Sequence, residues 1–339
     1  MVKEKMKLFV SIPKGSATLR RFVPEEVREY LNERFEVEYS PIERQLTREE
    51  FIQFTKDKDA VMTGWGSISI DGEMVRSSAL KLIVHTGGSV GSLVGREVYE
   101  QGIRVLSGNE LYADSVAEGA VTYMLMALRK IPDYLCEVRN GGWRVNGIES
   151  EGLLEQSVGI IGMGTISKKV IKLLQAFRTT IKVYSSYQID KEFLDTYHLK
   201  QVSLEEIFST CKVVSLHSSL NERTRGMIGK EYFERLQEGA VFINTARGQI
   251  VREDELIEAL KENRFRAVLD VYCQEPLAQD SELRTLKNVY CMPHKGGPTA
   301  DRCPAITKAL ADNMCKFQRG EAMELEIRGE YATRMTKWN

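Results

Sequence analysis

No run of apolar residues in this sequence approaches the roughly 18 that a membrane-spanning helix needs, so no membrane partner is expected. A long Lys/Arg block is also missing. The 47 basic and 48 acidic residues leave a formal net charge of -1, which argues against nucleic-acid binding through bulk charge. The six cysteines (Cys136, Cys211, Cys273, Cys291, Cys303 and Cys315) form no Cys-x-x-Cys pair. Neither a metal site nor a disulfide framework is therefore expected, and the cysteines read as reduced, mostly buried apolar residues. Residues 1–7 are charged and no signal-like apolar stretch follows, which sets a cytoplasmic expectation. Internal repeats and low-complexity tracts are absent as well. What is present is 339 residues, 42% hydrophobic and 28% charged, the balance of a globular chain too long for one core. Two domains are the expectation.

The first third alternates short strands with helices. Strands are expected at 7–11, 36–39, 60–63, 80–85 and 103–106, with a helix over 24–35. A second helix opens at the capping-box pattern Thr47-Arg48-Glu49-Glu50. A long apolar helix is expected to start at Ser115, where Ser115-Val116-Ala117-Glu118 repeats that pattern, with the region ending at Gly141-Gly142. Such a helix could bury itself against another subunit or within one chain. From residue 158 the rhythm is clearer. Strands are expected at 158–161, 181–184, 213–217, 240–244, 267–271 and 289–292. Helices fall between them at 165–177, 203–208, 230–236 and 253–262, the second capped at Ser203. Six strands with intervening helices make a complete doubly wound parallel-sheet domain. The helical tail after Pro298 is expected to pack on the first domain, which is then split in sequence: 1–110 with 299–339, around 111–298.

One local stretch stands out. An apolar strand runs into Gly162-Met163-Gly164, and a helix follows at Thr165-Ile166-Ser167. Gly162 suits the tight turn, Gly164 lets the backbone approach a pyrophosphate, and the helix N-terminus offers free N–H groups. A plain tight turn is the alternative reading, and the strand–turn–helix context weighs against it. Ser167 stands where a third glycine is usual. The second strand should end in an acid if the site grips the ribose hydroxyls of NAD. It leads instead into Ser185-Ser186-Tyr187-Gln188, with Asp190 a few residues late and no arginine for a 2′-phosphate. NAD versus NADP stays open.

Ligands in open α/β sheets sit at the carboxyl ends of strands. Three successive strand ends carry chemically capable groups: Arg247 in Asn244-Thr245-Ala246-Arg247-Gly248, Glu275 in Asp270-Val271-Tyr272-Cys273-Gln274-Glu275-Pro276, and His294 in Pro293-His294-Lys295-Gly296-Gly297. Hydride transfer to a 2-keto acid puts negative charge on the carbonyl oxygen, and an imidazole titrates in the range useful for delivering a proton there. A neighbouring carboxylate favours the protonated ring and fixes its tautomer. A guanidinium binds a substrate carboxylate through two parallel hydrogen bonds. Singly, each residue has an ordinary surface or loop reading; three together beside a phosphate turn form a site. Of the other histidines, His85 and His217 also lie at strand ends and are the rivals, and His198 sits in a polar stretch facing solvent.

At these residues the sequence resembles the D-isomer-specific 2-hydroxyacid dehydrogenase family, over close to its full length. The resemblance implies a Rossmann cofactor domain inserted in a flavodoxin-like substrate domain, and a homodimer built on the long helix. It implies that Arg247 binds substrate, Glu275 assists and His294 is the acid/base. Cofactor contacts are then expected at Gly162, Met163, Gly164, Thr165, Ile166, Ser186, Tyr187, His217, Ser218, Thr224, Thr245, Ala246, Asp270 and Gly296. The family's substrate-carboxylate loop matches His85-Thr86-Gly87-Gly88-Ser89-Val90, so Gly87, Gly88 and Ser89 are expected to bind substrate beside Arg247. Departures lie at Ser167, at the missing acid near Tyr187, and at Ser218-Ser219 where a proline usually follows the histidine. Glutamine would stand at Glu275 in a formate dehydrogenase. The implied activity is hydride transfer between NAD(P)H and a small 2-keto or 2-hydroxy acid, such as glyoxylate or hydroxypyruvate. The alternative is a non-enzymatic dinucleotide-sensing binding protein of the corepressor type.

Overall fold

A computed structural model describes residues 4–143 and 149–335; the expected domain segments at 1–3, 144–148 and 336–339 lie outside them. In chain order the first elements are β1 (Lys7–Val10), α1 (Ala17–Phe22), α2 (Glu25–Arg34), β2 (Glu36–Tyr39), α3 (Arg48–Thr55) and β3 (Ala60–Thr63). Then come α4 (Gly72–Arg76), β4 (Leu82–His85), α5 (Arg96–Glu100), β5 (Arg104–Ser107), α6 (Asn109–Leu128) and α7 (Ile131–Arg139). The next run is β6 (Ser157–Ile161), α8 (Thr165–Leu174), β7 (Thr180–Tyr184), α9 (Lys191–Thr196), β8 (Lys200–Gln201), α10 (Leu204–Thr210) and β9 (Val213–Leu216). It continues with α11 (Lys230–Phe233), β10 (Val241–Asn244), α12 (Glu253–Lys261), β11 (Arg266–Leu269) and β12 (Val289–Cys291), and closes with α13 (Cys303–Arg319) and α14 (Gly329–Ala332).

The chain divides into two compact units, residues 1–112 with 298–339, and residues 113–297; the division falls inside α6. The first unit is a five-stranded parallel sheet in the order β2-β1-β3-β4-β5, the flavodoxin-like order. Alternate strand residues feed its two faces. Leu8, Val10, Met62, Leu82 and Val84 pack with Leu31 of α2 and with Ile306 and Leu310 of α13. Phe9, Val61, Ile83 and Val105 pack with Phe51 of α3, Met74 of α4 and Val98 of α5. A bidentate Arg104–Glu326 pair (2.6 and 2.5 Å) fastens the C-terminal segment to β5.

The second unit is a seven-stranded parallel sheet in the order β12-β11-β10-β9-β6-β7-β8. Its first six strands in sequence, counting β8 as the third, follow the doubly wound dinucleotide-binding order. One face carries α10, α11 and α12 over Val214, Phe242 and Leu269. The other carries α8 and the C-terminal half of α6 over Val158, Ile160, Val183 and Ile243. Both faces are covered, so the strands read as near-continuous apolar runs.

Three expectations need correction. Ser115 does not start a helix; it is buried within α6. Its neighbours Leu111, Tyr112 and Ala113 are themselves helical, and a cap needs extended backbone. The start lies further back, where Ser107 Oγ accepts from Asn109 N–H (3.2 Å) and Gly108 O accepts from Leu111 and Tyr112. The helical region also breaks before Gly141, at Arg129 and the left-handed Lys130, with Pro132 opening α7. The cysteines are free but only Cys211 and Cys303 are buried; Cys136 and Cys273 are exposed. Strand β8, two polar residues at a sheet edge, had no periodicity to announce it.

An aromatic group on the α10–α12 face holds the strands that carry the site loops. Phe233 lies edge-on to Phe208 (6.0 Å) and Phe242 (5.3 Å) and stacks on Phe265 (5.9 Å). Phe233→Ala should therefore cost about 3–5 kcal/mol. Denaturant unfolding monitored by circular dichroism measures it; an unmoved midpoint would show that these rings do not hold the unit together.

Candidate active site

All strands of the second unit run parallel, so their carboxyl ends share one edge, and the site residues lie there. At the end of β6, Gly162 adopts φ +97° and its N–H donates to Tyr184 O (2.8 Å). A Cβ there would come within 2.8 Å of the Ser218 backbone, so glycine is required on two counts. Gly164 caps α8 and faces open space. Ser167, in the third-glycine position, is buried, and its hydroxyl donates to Gly162 O (2.8 Å). The substitution thus fastens the turn rather than loosening it. Tyr187 lies across the turn with its hydroxyl donating to Met163 O. The neighbouring segment is ordered by Gln201, which donates to Tyr187 O (2.9 Å) and accepts from Ile189 N–H (3.0 Å). Asp190 caps α9 by accepting from Phe193 N–H (2.9 Å), so its carboxylate is committed locally.

Three neighbouring strands, β10, β11 and β12, carry the reactive loops. Asn244 braces the first: it accepts from Ala246 N–H (3.0 Å) and donates to Arg247 O (3.1 Å). Gly248 then packs so closely on the next loop that a Cβ would meet the Tyr272 carbonyl carbon at 1.9 Å. Arg247 is half-buried, and its guanidinium donates to Ala246 O. Withdrawal from water pushes its pKa down to about 10, with the charge of Glu275 acting the other way. It therefore remains a cation at neutral pH. In the second loop, Glu275 Oε1 accepts from Tyr272 N–H (3.1 Å), leaving Oε2 to meet His294 Nδ1 at 2.6 Å. About a third of each side chain is exposed (37% for His294, 35% for Glu275), so the imidazole is accessible. His294 itself is left-handed, with φ +52°. Asp270, 1% exposed, accepts from the N–H groups of Lys295 and Gly296, both at 2.7 Å.

His217 follows β9, and its N–H donates to Ile161 O (2.8 Å). Its Nε2 meets Ser215 Oγ at 2.9 Å, while its Nδ1 is buried without a hydrogen-bond partner. Thr245 Oγ1, on the neighbouring strand end, is likewise buried without a partner. Two orphaned polar atoms cost free energy unless a ligand completes them. With the open Gly164, they make this edge fit a dinucleotide. Ser218 leans on β6, its hydroxyl donating to Ile161 O (3.4 Å), and Ser186 is exposed. Thr224 closes its own loop on Ser219 O (2.7 Å). Ile166 and Ala246 line the turn and the β10 loop respectively.

In the first unit, β4 ends at His85, whose Nδ1 meets Thr63 Oγ1 at 2.9 Å. Gly87 and Gly88 are buried, and their carbonyls accept from Ser107 Oγ at 3.0 and 2.5 Å. A Cβ on Gly87 would come within 2.3 Å of His85 Nε2, so the loop is seated on that ring. Ser89 follows, half-buried, with its Oγ accepting from Gly91 N–H (3.3 Å). Sequence reading gave no role to Gln201, Ser215 or Tyr123, the last donating to Asp270 Oδ1 (3.2 Å) across 147 residues. Nothing local in the sequence marks such a contact. Among the described residues no group of three His, Cys, Asp or Glu side chains is placed to hold a metal, and no helix is long and apolar enough to cross a membrane.

Residues 121–296 match the family model described as D-isomer specific 2-hydroxyacid dehydrogenase, NAD binding domain. The D-3-phosphoglycerate dehydrogenase of Methanocaldococcus jannaschii is 34% identical over 284 residues, which is 82% of this chain and 53% of that one. The chain thus spans about half that relative's length. The human glyoxylate reductase/hydroxypyruvate reductase is 32% identical over 253 residues, 74% of this chain and 77% of its own. Among solved structures, the D-mandelate dehydrogenase of Rhodotorula graminis superposes with a TM-score of 0.79 at 19% identity, covering 95% of this chain and 97% of that one. That likeness concerns the fold.

The two rival histidines are set apart by burial, which pushes both imidazoles down to about 4 from the usual 6.5. Between those values the unfolded chain binds a proton at each position that the folded chain refuses. Stability therefore rises with pH through this window and is lost as pH falls through it. The full loss below the window is about 3 kcal/mol for each histidine. His217→Gln should flatten the fall of melting temperature between pH 6.5 and 4. A fall as steep as the parent's would mean that His217 is not held neutral.

Proposed function

The chain belongs to the D-isomer specific 2-hydroxyacid dehydrogenase family and carries that family's NAD-binding domain, and from this we propose that it moves a hydride between NAD(P)H and a small 2-keto or 2-hydroxy acid of the glyoxylate or hydroxypyruvate kind. The observation that carries the reading is the 2.6 Å His294–Glu275 pair, formed between the loops after β12 and β11, with the Arg247 loop after the adjacent β10. The relatives compared above are named as enzymes, which favours catalysis over dinucleotide sensing alone.

In this reading residues 111–298 bind the dinucleotide, and 1–110 with 299–339 bind the acid. Gly162, Met163, Gly164, Thr165 and Ile166 hold the pyrophosphate at the N-terminus of α8. His217, Thr245 and Ala246 lie further along the same edge, toward the nicotinamide. The reduced nicotinamide, when bound, supplies the hydride. Arg247 holds the substrate carboxylate through two parallel hydrogen bonds and polarises the carbonyl beside it. Its burial strengthens that attraction by removing competing water. In the first unit, the N–H groups of the loop at Gly87, Gly88 and Ser89 are the candidates for binding the acid. As charge builds on the carbonyl oxygen, His294 delivers a proton from Nε2, because Nδ1 is engaged by Glu275. Glu275 thereby fixes tautomer and ring orientation. In the reverse direction the same nitrogen takes the hydroxyl proton. His85 and His217, neutral and inaccessible, are unsuited to this task.

We also propose a cytoplasmic homodimer. The apolar surface that supports it lies on α7 rather than on the long α6, whose C-terminal half is buried within its own unit. Ile131, Leu135 and Val138 recur at helical spacing with 44%, 52% and 52% exposure. Leu135→Glu should shift the protein to monomer in sedimentation velocity, and a parent-like sedimentation coefficient would remove α7 from the interface.

The direct test is steady-state turnover of glyoxylate, hydroxypyruvate, pyruvate and bulkier 2-keto acids with NADH and with NADPH. A folded, cofactor-binding sample inert toward all of them would refute the activity. His294→Ala should lower kcat by at least about 100-fold. Unchanged turnover in that variant would move the acid/base role elsewhere.

A further inference from the structure

We propose that Gly119 and Tyr123, four residues apart on α6, are positioning residues for His294 and act through Asp270 and Gly296. The proposal rests on His294 being the acid/base.

His294 sits at φ +52°, a conformation that side-chain-bearing residues rarely adopt, so the residues after it must hold it there. Asp270 supplies the hold. Its Oδ1 accepts from Lys295 N–H (2.7 Å), and its Oδ2 accepts from Gly296 N–H (2.7 Å). The third donor to this buried carboxylate is the Tyr123 hydroxyl, 3.2 Å from Oδ1. A buried carboxylate persists only when donors surround it, so Tyr123 helps decide where the carboxylate lies and thereby where the loop lies. Gly119 is on the same face of the helix as Tyr123. An ideal Cβ at Gly119 would stand 3.2 Å from Gly296 O, so the loop's carbonyl rests where the helix has no side chain. Gly296 also lies close against Asp270, since a Cβ on it would stand 2.8 Å from Oδ2. The helix therefore sets the loop from two points, by a hydrogen bond relayed through Asp270 and by direct contact with Gly296. Proton delivery needs the imidazole aimed to within tenths of an ångström, so a small shift of this seat falls on turnover rather than on binding.

The test uses Tyr123→Phe and Gly119→Ala in the full chain, with His294→Ala alongside. Losing a hydrogen bond to a charged group, or displacing the loop, should lower kcat roughly tenfold in each variant. The KM for the 2-keto acid should stay within about twofold of the parent. Alanine is the better helix former, so Gly119→Ala should melt no lower than the parent, which separates positioning from stability. The chain's four histidines give four ring signals in protein labelled with 13C-histidine, a readout that needs no turnover. The His294 signal should move in both variants, and that of exposed His198 should not. Parent-like kcat with an unmoved His294 signal overturns the proposal, even where His294→Ala abolishes turnover. So does a kcat loss in Gly119→Ala that follows a lowered melting point. If His294→Ala turns over like the parent, the acid/base reading fails, while a moved His294 signal still supports the seat.

Discussion

The parallel pairing of β9, β10, β11 and β12 is the constraint on which the site depends. Register puts Leu216 opposite Asn244, Asn244 opposite Leu269, and Leu269 opposite Cys291, so these strands end level. The loops that follow leave the sheet side by side, and residues far apart in sequence, Arg247, Glu275 and His294, come together without any contact local in sequence. A slip of one residue in any of these strands would turn its side chains to the opposite face and carry its loop out of line. The apolar residues that fill both faces of the sheet, Val213, Val214 and Leu216 on β9 and Val241, Phe242 and Ile243 on β10 among them, oppose that slip.

Much of this was legible in the sequence because it is periodic or local. Apolar runs located eleven of the twelve strands, and Gly162-x-Gly164 located the turn from residue type alone, since only glycine tolerates φ +97° against Ser218. The placement of Arg247, Glu275 and His294 at three neighbouring strand ends was legible from the strand pattern itself. The start of α6 was misread because a capping motif describes residues that can cap, not residues that must. Buried Ser115 gains more from helical neighbours than from ending them. Asp270 shows the other limit. Its position was plain, but the fact that both its oxygens accept from the His294 loop depends on tertiary geometry that no spacing encodes.

Burial acts in opposite ways on three of these groups. His85 and His217 lose their charge to it, and Arg247 keeps its charge in spite of it because guanidinium is so strong a base. Desolvation thus sets two neutral rings, while the cation survives it. His294 is left the accessible imidazole, with a carboxylate at one nitrogen and its other nitrogen available to a substrate. Free energy lost by withdrawing Arg247 from water becomes free energy available when a carboxylate ligand arrives to pair with it.

The departures at Ser167 and Tyr187 follow from the same local chemistry. With glycine at 167 the helix would approach the turn without a bond. Ser167 is accommodated in full burial and adds a hydrogen bond to the Gly162 carbonyl. At the second strand the missing acid leaves no carboxylate facing the turn, because Asp190 spends its own on the first turn of α9. Tyr187 occupies that position with a neutral hydroxyl bonded to Met163 O, and Ser185 accepts from the Tyr187 N–H (3.3 Å). The turn thus meets hydroxyl side chains at Ser167 and Tyr187, with Lys168 and Lys169 close by on α8. A helix N-terminus presents free N–H groups and the positive end of its dipole, so the Gly162–Gly164 turn can attract an anion without a side-chain charge from the second strand.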